Sequence, residues 1–159
     1  MPTTVTTGLT QNHIAACTPL SYPDNPPAGG DHYPVWAAFQ SYSFPVPRGF
    51  LGHDLEHGAV VYAYNCPEGC ADDVATVEDM VNALPADPLC SSATPRRVVL
   101  TPDPLLGDIR WGLSAWGYTV RADCVDRERF RQFYLNHFGL GPEELCNPGS
   151  DFSGVPPCQ

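Results

Sequence analysis

The stretch Ala59-Val-Val-Tyr-Ala-Tyr64 is a run of small, β-branched and aromatic residues between Gly58 and Asn65-Cys-Pro67. A short apolar run bounded by turn-forming residues is typical of a buried strand. The segment Asp72 to Leu84 follows, with apolar residues at helical spacing and two aspartates in its first turn, where the helix dipole favours negative charge. From residue 58 the chain is therefore predicted to form a strand and then a helix.

Three further segments extend this pattern. Arg96–Thr101 is predicted to be a second strand stopped by prolines, Ile109–Val120 a third strand, and Asp126–Phe138 a helix that ends before Gly139. The order β-α-β-β-α makes the first two strands parallel if they are neighbours, and the Pro102–Gly107 connection makes the next pair antiparallel. The predicted fold class is a two-layer α+β domain related to ferredoxin-like or thioredoxin-like arrangements.

Length and composition predict one domain. The chain has 159 residues, 43% of them hydrophobic, which is enough for one core and too little for two. Its 18 prolines and 14 glycines concentrate before residue 60 and after residue 141, which favours irregular structure at both ends. We therefore divide the single domain 1–159 into a Pro/Gly-rich N-terminal arm (1–57), an α+β core (58–140) and a C-terminal tail (141–159).

The charge of the chain limits its classes of partner. A net charge of −10 and a pI near 4.6 oppose binding to nucleic acid and to anionic membrane surfaces, because both would be repelled. No run reaches the roughly 18 apolar residues that a membrane-spanning helix needs, so we expect no membrane insertion of the mature chain. Cations remain compatible partners.

Cysteine content predicts the compartment. Seven cysteines in a chain of this size favour disulfides and an extracytoplasmic location, whether periplasmic, secreted or lipid-anchored, and the odd number leaves one thiol free. We expect at least two disulfides, Cys66–Cys70 across a short loop and Cys146–Cys158 to tie down the tail. Residues 1–8 contain neither a basic nor an apolar signal-peptide region, and we expect the precursor to carry such a segment ahead of them.

Three of the five histidines, His32, His53 and His57, fall in Pro/Gly-punctuated sequence. Imidazole is the commonest side-chain ligand of zinc and copper, and three imidazoles with an open position are typical of an accessible metal centre. The pair His53 and His57 can share one ion only on a helical turn, which Gly58 would end in the left-handed conformation. The pattern predicts a mononuclear copper or zinc site at these histidines, with His13 as a weaker candidate ligand.

Glu56 lies three residues after His53 and can share its face of the turn. There it would serve as a fourth ligand, as an acceptor for an imidazole N–H, or as the base for a bound water. If carboxylates rather than imidazoles bound the ion, Glu56, Asp31 and Asp54 would be the first candidates. His137, in the last turn of a predicted helix, is expected to be structural.

Five motifs follow one another along the chain. They are Asn25-Pro-Pro-Ala-Gly-Gly-Asp-His-Tyr-Pro34, His53-Asp-Leu-Glu-His-Gly58, Val60-Val-Tyr-Ala-Tyr-Asn-Cys66, Val98-Val-Leu-Thr-Pro102 and Leu113-Ser-Ala-Trp-Gly117. In this combination and order they resemble the bacterial DUF3105 domain family, from about His13 to Pro142. The resemblance implies a secreted or membrane-anchored protein, and it implies no function because the family has none assigned.

The leading hypothesis is a metal-handling protein or an oxidase-like enzyme, and other functions stay open. His53-Asp-Leu-Glu-His57 has the form of an inverted zinc-peptidase motif, but that motif needs a long helix. Cys66 and Cys70, between a strand and a helix, would suit a thiol-disulfide redox domain as well as a structural disulfide. A non-catalytic interaction domain with incidental histidines would be favoured if the three imidazoles lay more than about 8 Å apart.

Overall fold

The computed structural model describes residues 1–152 and 157–158. Five strands form one mixed sheet in the order β1-β5-β4-β2-β3. The elements along the chain are β1 (Thr3–Val5), α1 (Arg48–Glu56), β2 (Val60–Tyr64), α2 (Ala71–Asn82), β3 (Val98–Pro102), a 3-10 turn (Pro104–Leu106), β4 (Trp111–Ala115), β5 (Tyr118–Ala122) and α3 (Arg127–His137). The predicted α+β class is confirmed, whereas the relation to ferredoxin-like or thioredoxin-like folds stays a prediction.

The pairing of the strands follows the predicted directions only in part. β2 and β3 are parallel neighbours, with Val60 opposite Val98, as a helical crossover requires. The predicted single strand Ile109–Val120 is wrong, because Gly117, at φ 79°, turns the chain and splits it into the hairpin β4–β5. β4 pairs antiparallel with β2 and lies on the side of β2 away from β3. The connection after β3 therefore crosses β2.

The sheet has two differently covered faces. The helix face is the side packed against α2 and α3, and the arm face is the side packed against α1 and residues 33–46. Residues of β2 alternate between them, with Val60 and Tyr62 in the first core and Val61 and Ala63 in the second. Both sides of the central strands are consequently buried, which explains why β2 has the continuous apolar run of a strand covered twice.

The N-terminal region contains two regular elements that the sequence pattern did not predict at these bounds. β1 has only three residues, all exposed, and pairs antiparallel with the edge of β5. α1 has nine residues and begins directly after Pro47. Between these elements the chain is irregular and crosses the arm face, where it pairs with the core through isolated bridges such as Ser41 with Leu100.

Three disulfides are formed: Cys17–Cys158 joins the arm to the tail, Cys90–Cys146 joins the core to the tail, and Cys66–Cys70 closes a short loop within the core. The predicted Cys66–Cys70 bond is confirmed, and Cys124 is the free cysteine among the described residues. The predicted Cys146–Cys158 bond is wrong. The tail does not fold back on itself, because Ser150 exchanges backbone hydrogen bonds with Trp36 and Ala38 and so carries the tail along the arm.

Helix lengths agree with the sequence pattern. The two predicted helices are confirmed as α2 and α3, and Met80 of α2 is buried on the helix face. Asp126 caps α3, since its carboxylate accepts the backbone N–H of Arg129 at 3.1 Å. Among the described residues, no helix has the length and apolar composition needed to cross a membrane.

Candidate metal centre

Helix α1 carries three residues of the candidate site. His53, Glu56 and His57 occupy positions i, i+3 and i+4, which place their side chains on one face of a helical turn. His57 is the C-cap residue, and Gly58, at φ 79°, turns the chain into β2. The predicted turn of helix is confirmed, and all three side chains are buried.

The N-terminal arm brings two more histidines to this helix. His32 is fully buried and lies close to α1. A Cβ added to Gly52 of that helix would be only 2.9 Å from the Cβ of His32. The backbone at His13 pairs in parallel with the backbone at His32. Ile14 donates its N–H to the His32 carbonyl (2.7 Å), and His32 donates its N–H to the Asn12 carbonyl (3.0 Å). This backbone pairing fixes His13 beside His32.

Four side chains form a group whose ligand atoms all lie within 4.8 Å of one another: His13, His32, His53 and Glu56. Glu56 Oε2 is 3.0 Å from the Nε2 atom of His32, 3.8 Å from that of His13 and 3.9 Å from that of His53. Two ligands bound to one zinc ion at about 2.0–2.1 Å are at most about 4.2 Å apart. All three distances satisfy this limit.

Backbone carbonyls determine which ring nitrogens face the group. His32 Nδ1 lies 2.8 Å from the Gly30 carbonyl oxygen, and His53 Nδ1 lies 2.6 Å from the Tyr33 carbonyl oxygen. A carbonyl oxygen only accepts, so in each histidine Nδ1 carries the proton and donates it. In its neutral form each ring therefore presents the lone pair of Nε2 to Glu56, as metal-binding imidazoles do when a second group orients them.

The contact between His32 and Glu56 has unusual chemistry. His32 Nε2 lies 3.0 Å from the carboxylate but makes no hydrogen bond in the described structure. With the ring proton on Nδ1, a lone pair faces an anionic oxygen, and both belong to buried side chains. Such an arrangement is unfavourable unless a positive charge is shared between the two groups. Either a bound cation or a second proton on the His32 ring would supply that charge.

Burial also keeps His53 in the form that binds metals. Removal from water lowers the pKa of His53, and this effect exceeds the opposing effect of its hydrogen bond to the Tyr33 carbonyl. Since a metal ion competes with protons for the same nitrogen, a lowered pKa favours the ion near neutral pH.

His57 lies beside the group of four rather than within it. Its Nε2 is 3.2 Å from His53 Nε2, and the ring centroids are 4.6 Å apart. Its ligand atom belongs instead to a second group, in which the ligand atoms of Glu56, His57 and Glu143 all lie within 4.8 Å of one another. Burial lowers the pKa of His57 to about 4. The structure thus brings His32 and His53 together with the weaker candidate His13, and it gives His57 a different set of neighbours.

Aromatic rings surround the histidines. The Trp36 ring centroid lies 5.1 Å from that of His53 and 4.5 Å from that of His57. Trp116 lies edge-on to His32 at 6.3 Å. These rings restrict water around the imidazoles, whereas His13, with a side chain 52% exposed, marks the open side of the group.

The remaining candidates from the sequence lie outside both groups. The side chain of Asp31 accepts a hydrogen bond from Asn12. Asp54 is fully buried next to the Ala37 N–H (3.4 Å), and burial raises its pKa well above the usual range. His137 stacks on Tyr118 at 4.3 Å, in a packing role. The sequence pattern missed Glu143, which is distant along the chain and has no local signal.

One comparison with known proteins gave a match. The family model described as "Protein of unknown function (DUF3105)" matches residues 13–148. No curated protein matches the chain, and no solved structure matches it. The matched region includes every residue of both groups of ligand atoms.

Proposed function

This chain belongs to the DUF3105 family, whose function is unknown, and from the chemistry of its site we propose that it binds a copper or zinc ion outside the cytoplasm. The ligands would be the Nε2 atoms of three histidines and a carboxylate oxygen: His13, His32, His53 and Glu56. Two of these histidines and Glu56 are buried, so the ion would hold the arm against α1.

The observation that carries this proposal is the shared hydrogen-bonding pattern of two buried rings. His32 and His53 each donate Nδ1–H to a backbone carbonyl, and this leaves Nε2 as an unprotonated donor atom next to Glu56. The ring centroids of His13, His32 and His53 are 4.8–5.0 Å apart, which supports a mononuclear site at these three imidazoles.

The ligand types favour copper or zinc. Neutral imidazoles bind both ions well, and the order of divalent affinities places copper above zinc for the same donors. One carboxylate is compatible with either ion, whereas magnesium and calcium prefer ligand sets made of oxygen. The absence of a cysteine from the group also fits a protein whose thiols are mostly oxidised.

The exposure of His13 supports an accessible site over a closed structural one. A structural zinc site has four protein ligands sealed from water, whereas here one imidazole is half exposed. We propose that an ion is exchanged, or a small substrate is admitted, on the His13 side, as in a metal-handling protein or an oxidase-like enzyme. Glu56, the candidate base, would then act mainly as a ligand.

The location outside the cytoplasm rests on the disulfides. Three are formed, and two of them join segments far apart in the chain. Such bonds persist in oxidising compartments and are rare in reducing ones. We propose a periplasmic, secreted or lipid-anchored protein on this basis.

The test is titration calorimetry of the metal-stripped protein with zinc and with copper, together with elemental analysis. We expect submicromolar binding, reduced about 100-fold or more in His53→Ala because a buried ligand is lost. His137→Gln is the matched control and should bind as the wild type does. Equal affinity in His53→Ala and the wild type would refute the proposed ligand set, provided that circular dichroism shows both folded.

A second candidate function is favoured by the Cys66–Cys70 disulfide. It closes a loop between β2 and α2, with Cys70 as the N-cap of that helix, and it borders a surface hollow of about 290 Å³. In this function a partner dithiol would become a disulfide while Cys66 and Cys70 become two thiols. Equilibration with glutathione tests it: a redox potential above about −250 mV would support exchange, and one below about −300 mV would show a structural bond.

A further inference from the structure

A second set of ligand atoms adjoins the proposed site. The ligand atoms of Glu56, His57 and Glu143 lie within 4.8 Å of one another. His57 Nε2 is 3.3 Å from Glu143 Oε2 and 3.2 Å from His53 Nε2. The two sets therefore share the Glu56 carboxylate and touch where the two imidazoles of α1 meet.

The backbone holds the His57 ring in place from several directions. The backbone N–H of His57 donates to the His53 carbonyl at 3.1 Å, and the backbone carbonyl of His57 accepts from the guanidinium of Arg97 at 2.7 Å. Arg97 is itself buried and paired with Asp87 at 2.7 Å. The ring is 2% exposed and packs against Trp36, and its Nδ1 atom has no partner in the described structure. Nε2, the other nitrogen, faces the ligand atoms.

The C-terminal tail places Glu143 next to His57 and Glu56. Glu143 donates its backbone N–H to the Glu56 carbonyl at 2.9 Å, and Gly139 donates to the Gly58 carbonyl at 2.8 Å. Gly141 lies so close that a Cβ there would collide with the Glu56 carbonyl oxygen. The tail is thus fitted to the end of α1, and the Glu143 side chain, 51% exposed, lies at the solvent edge of the second set.

The second set combines an imidazole nitrogen with two carboxylates, which are ligand types that suit a divalent transition-metal ion. His53 Nε2 carries a lone pair, because the ring proton is donated from Nδ1 to the Tyr33 carbonyl. That lone pair belongs to the proposed first site, and beside it the His57 nitrogen and the Glu143 carboxylate meet Glu56 from separate parts of the chain. The 3.3 Å between His57 Nε2 and Glu143 Oε2 suits two ligands that share an ion at about 2.0–2.2 Å, and a carboxylate can bridge two ions about 3.5–4 Å apart.

We infer that Glu56, His57 and Glu143 hold a second transition-metal ion and that Glu56 bridges it to the first, which makes a dinuclear centre. This inference rests on the proposed function, since the first ion shares Glu56. The second position is open to solvent at Glu143, so it is the position that a water or a small anionic ligand would reach. Its ion would also couple the C-terminal tail to the histidine group.

Metal stoichiometry tests the inference. Metal-stripped protein is loaded with zinc, freed of unbound ion by gel filtration and analysed for zinc per chain. We expect two ions in the wild type and one in Glu143→Gln, whose remaining ion binds within about threefold of the tighter wild-type affinity. Glu144→Gln, which changes the exposed neighbouring carboxylate, is the matched control and should keep two.

The outcomes separate this inference from the proposed function. One ion in the wild type, lost in His53→Ala but kept in Glu143→Gln, would overturn the dinuclear centre and leave the single site standing. No ion at all would overturn both. Two ions that both persist in Glu143→Gln would also overturn the inference, because the second would then lie elsewhere.

Copper loading gives an independent readout of the bridge. Two Cu(II) ions joined by Glu56 should couple magnetically, so the integrated electron paramagnetic resonance signal of the wild type should fall short of its copper content. Glu143→Gln should give a signal that accounts for all of its single copper. A full signal from both ions of the wild type would contradict the bridge.

Discussion

The two faces of the sheet bury different chemistry. The helix face packs apolar side chains of α2 and α3, such as Val77 and Phe130, against β2, β3 and β4. The arm face buries His32, Glu56 and His57 next to its apolar cluster. The faces share their strands, so the difference comes from what covers them: amphipathic helices on one side, and an irregular arm with a short helix on the other.

This difference separates stability from function. Apolar burial stabilises a fold at about 25 cal/mol per Å² of surface, whereas buried polar groups cost free energy unless they are paired. Among the described residues, buried atoms without a hydrogen-bond partner occur on both faces, but on the helix face they include the uncharged groups of Trp111 and Tyr134, whereas on the arm face they belong to the ionisable side chains of His32, Asp54 and His57. The helix face should therefore provide most of the folding free energy, and the arm face should depend on disulfides, backbone pairing and an ion.

The largest expected effect comes from Phe130→Ala on the helix face. The ring is fully buried between Tyr62 and Trp111, and removing it leaves a cavity that should cost about 3–5 kcal/mol of unfolding free energy. Urea denaturation of the metal-free protein measures this loss. Zinc affinity of the folded variant should stay at the wild-type value. If affinity fell along with stability, the two faces would not be independent.

A smaller effect is expected from Gly52→Ala on the arm face. Alanine usually stabilises a helix interior relative to glycine by about 0.5–1 kcal/mol. Here its Cβ would lie 2.9 Å from the His32 Cβ, so the arm must shift, at a cost of about 1–3 kcal/mol. We expect lower stability and zinc binding weakened about tenfold, as measured by urea denaturation and calorimetry. Increased stability would mean that the arm does not lie against α1.

The smallest expected effect is a pH dependence confined to the arm face. Burial lowers the pKa of His57 to about 4, while the unfolded chain keeps the ordinary value of about 6.5. As the pH falls from about 6.5 to about 4, the unfolded chain therefore takes up a proton that the folded chain does not, and metal-free protein loses stability.

Comparison with His57→Gln isolates this contribution from other titrating groups. Between pH 7 and pH 5, the wild type should lose on the order of 1 kcal/mol more unfolding free energy than the variant does. Urea denaturation at the two pH values is the measurement. Equal losses in the two proteins would show that His57 titrates normally and that its ring is more accessible to water than its packing indicates.

The helix face could be predicted from the sequence, because its signals are local. Apolar residues at helical spacing located α2 and α3, and a β-branched run located β2. The hairpin β4–β5 was missed, because its turn at Trp116-Gly117 interrupts an apolar run without the usual turn sequence. β1 has no apolar pattern, since its three residues are exposed.

The arm face could be predicted only where its pattern was local. The spacing of His53 and His57 correctly required a helical turn. The place of His13 depends on backbone pairing with His32, and that of Glu143 depends on the tail reaching α1, so no short motif could give either contact. The disulfide partners of Cys146 and Cys158 were missed for the same reason.

The most direct test of the metal centre is anomalous diffraction from a crystal of the protein loaded with zinc or copper, whichever binds more tightly. An anomalous map at the absorption edge locates the ion independently of any assumption about its ligands. The account predicts a peak about 2.0–2.2 Å from the Nε2 atoms of His13, His32 and His53 and from an oxygen of Glu56. A loaded protein with no peak among these four side chains, or with its ion among surface carboxylates instead, would contradict it.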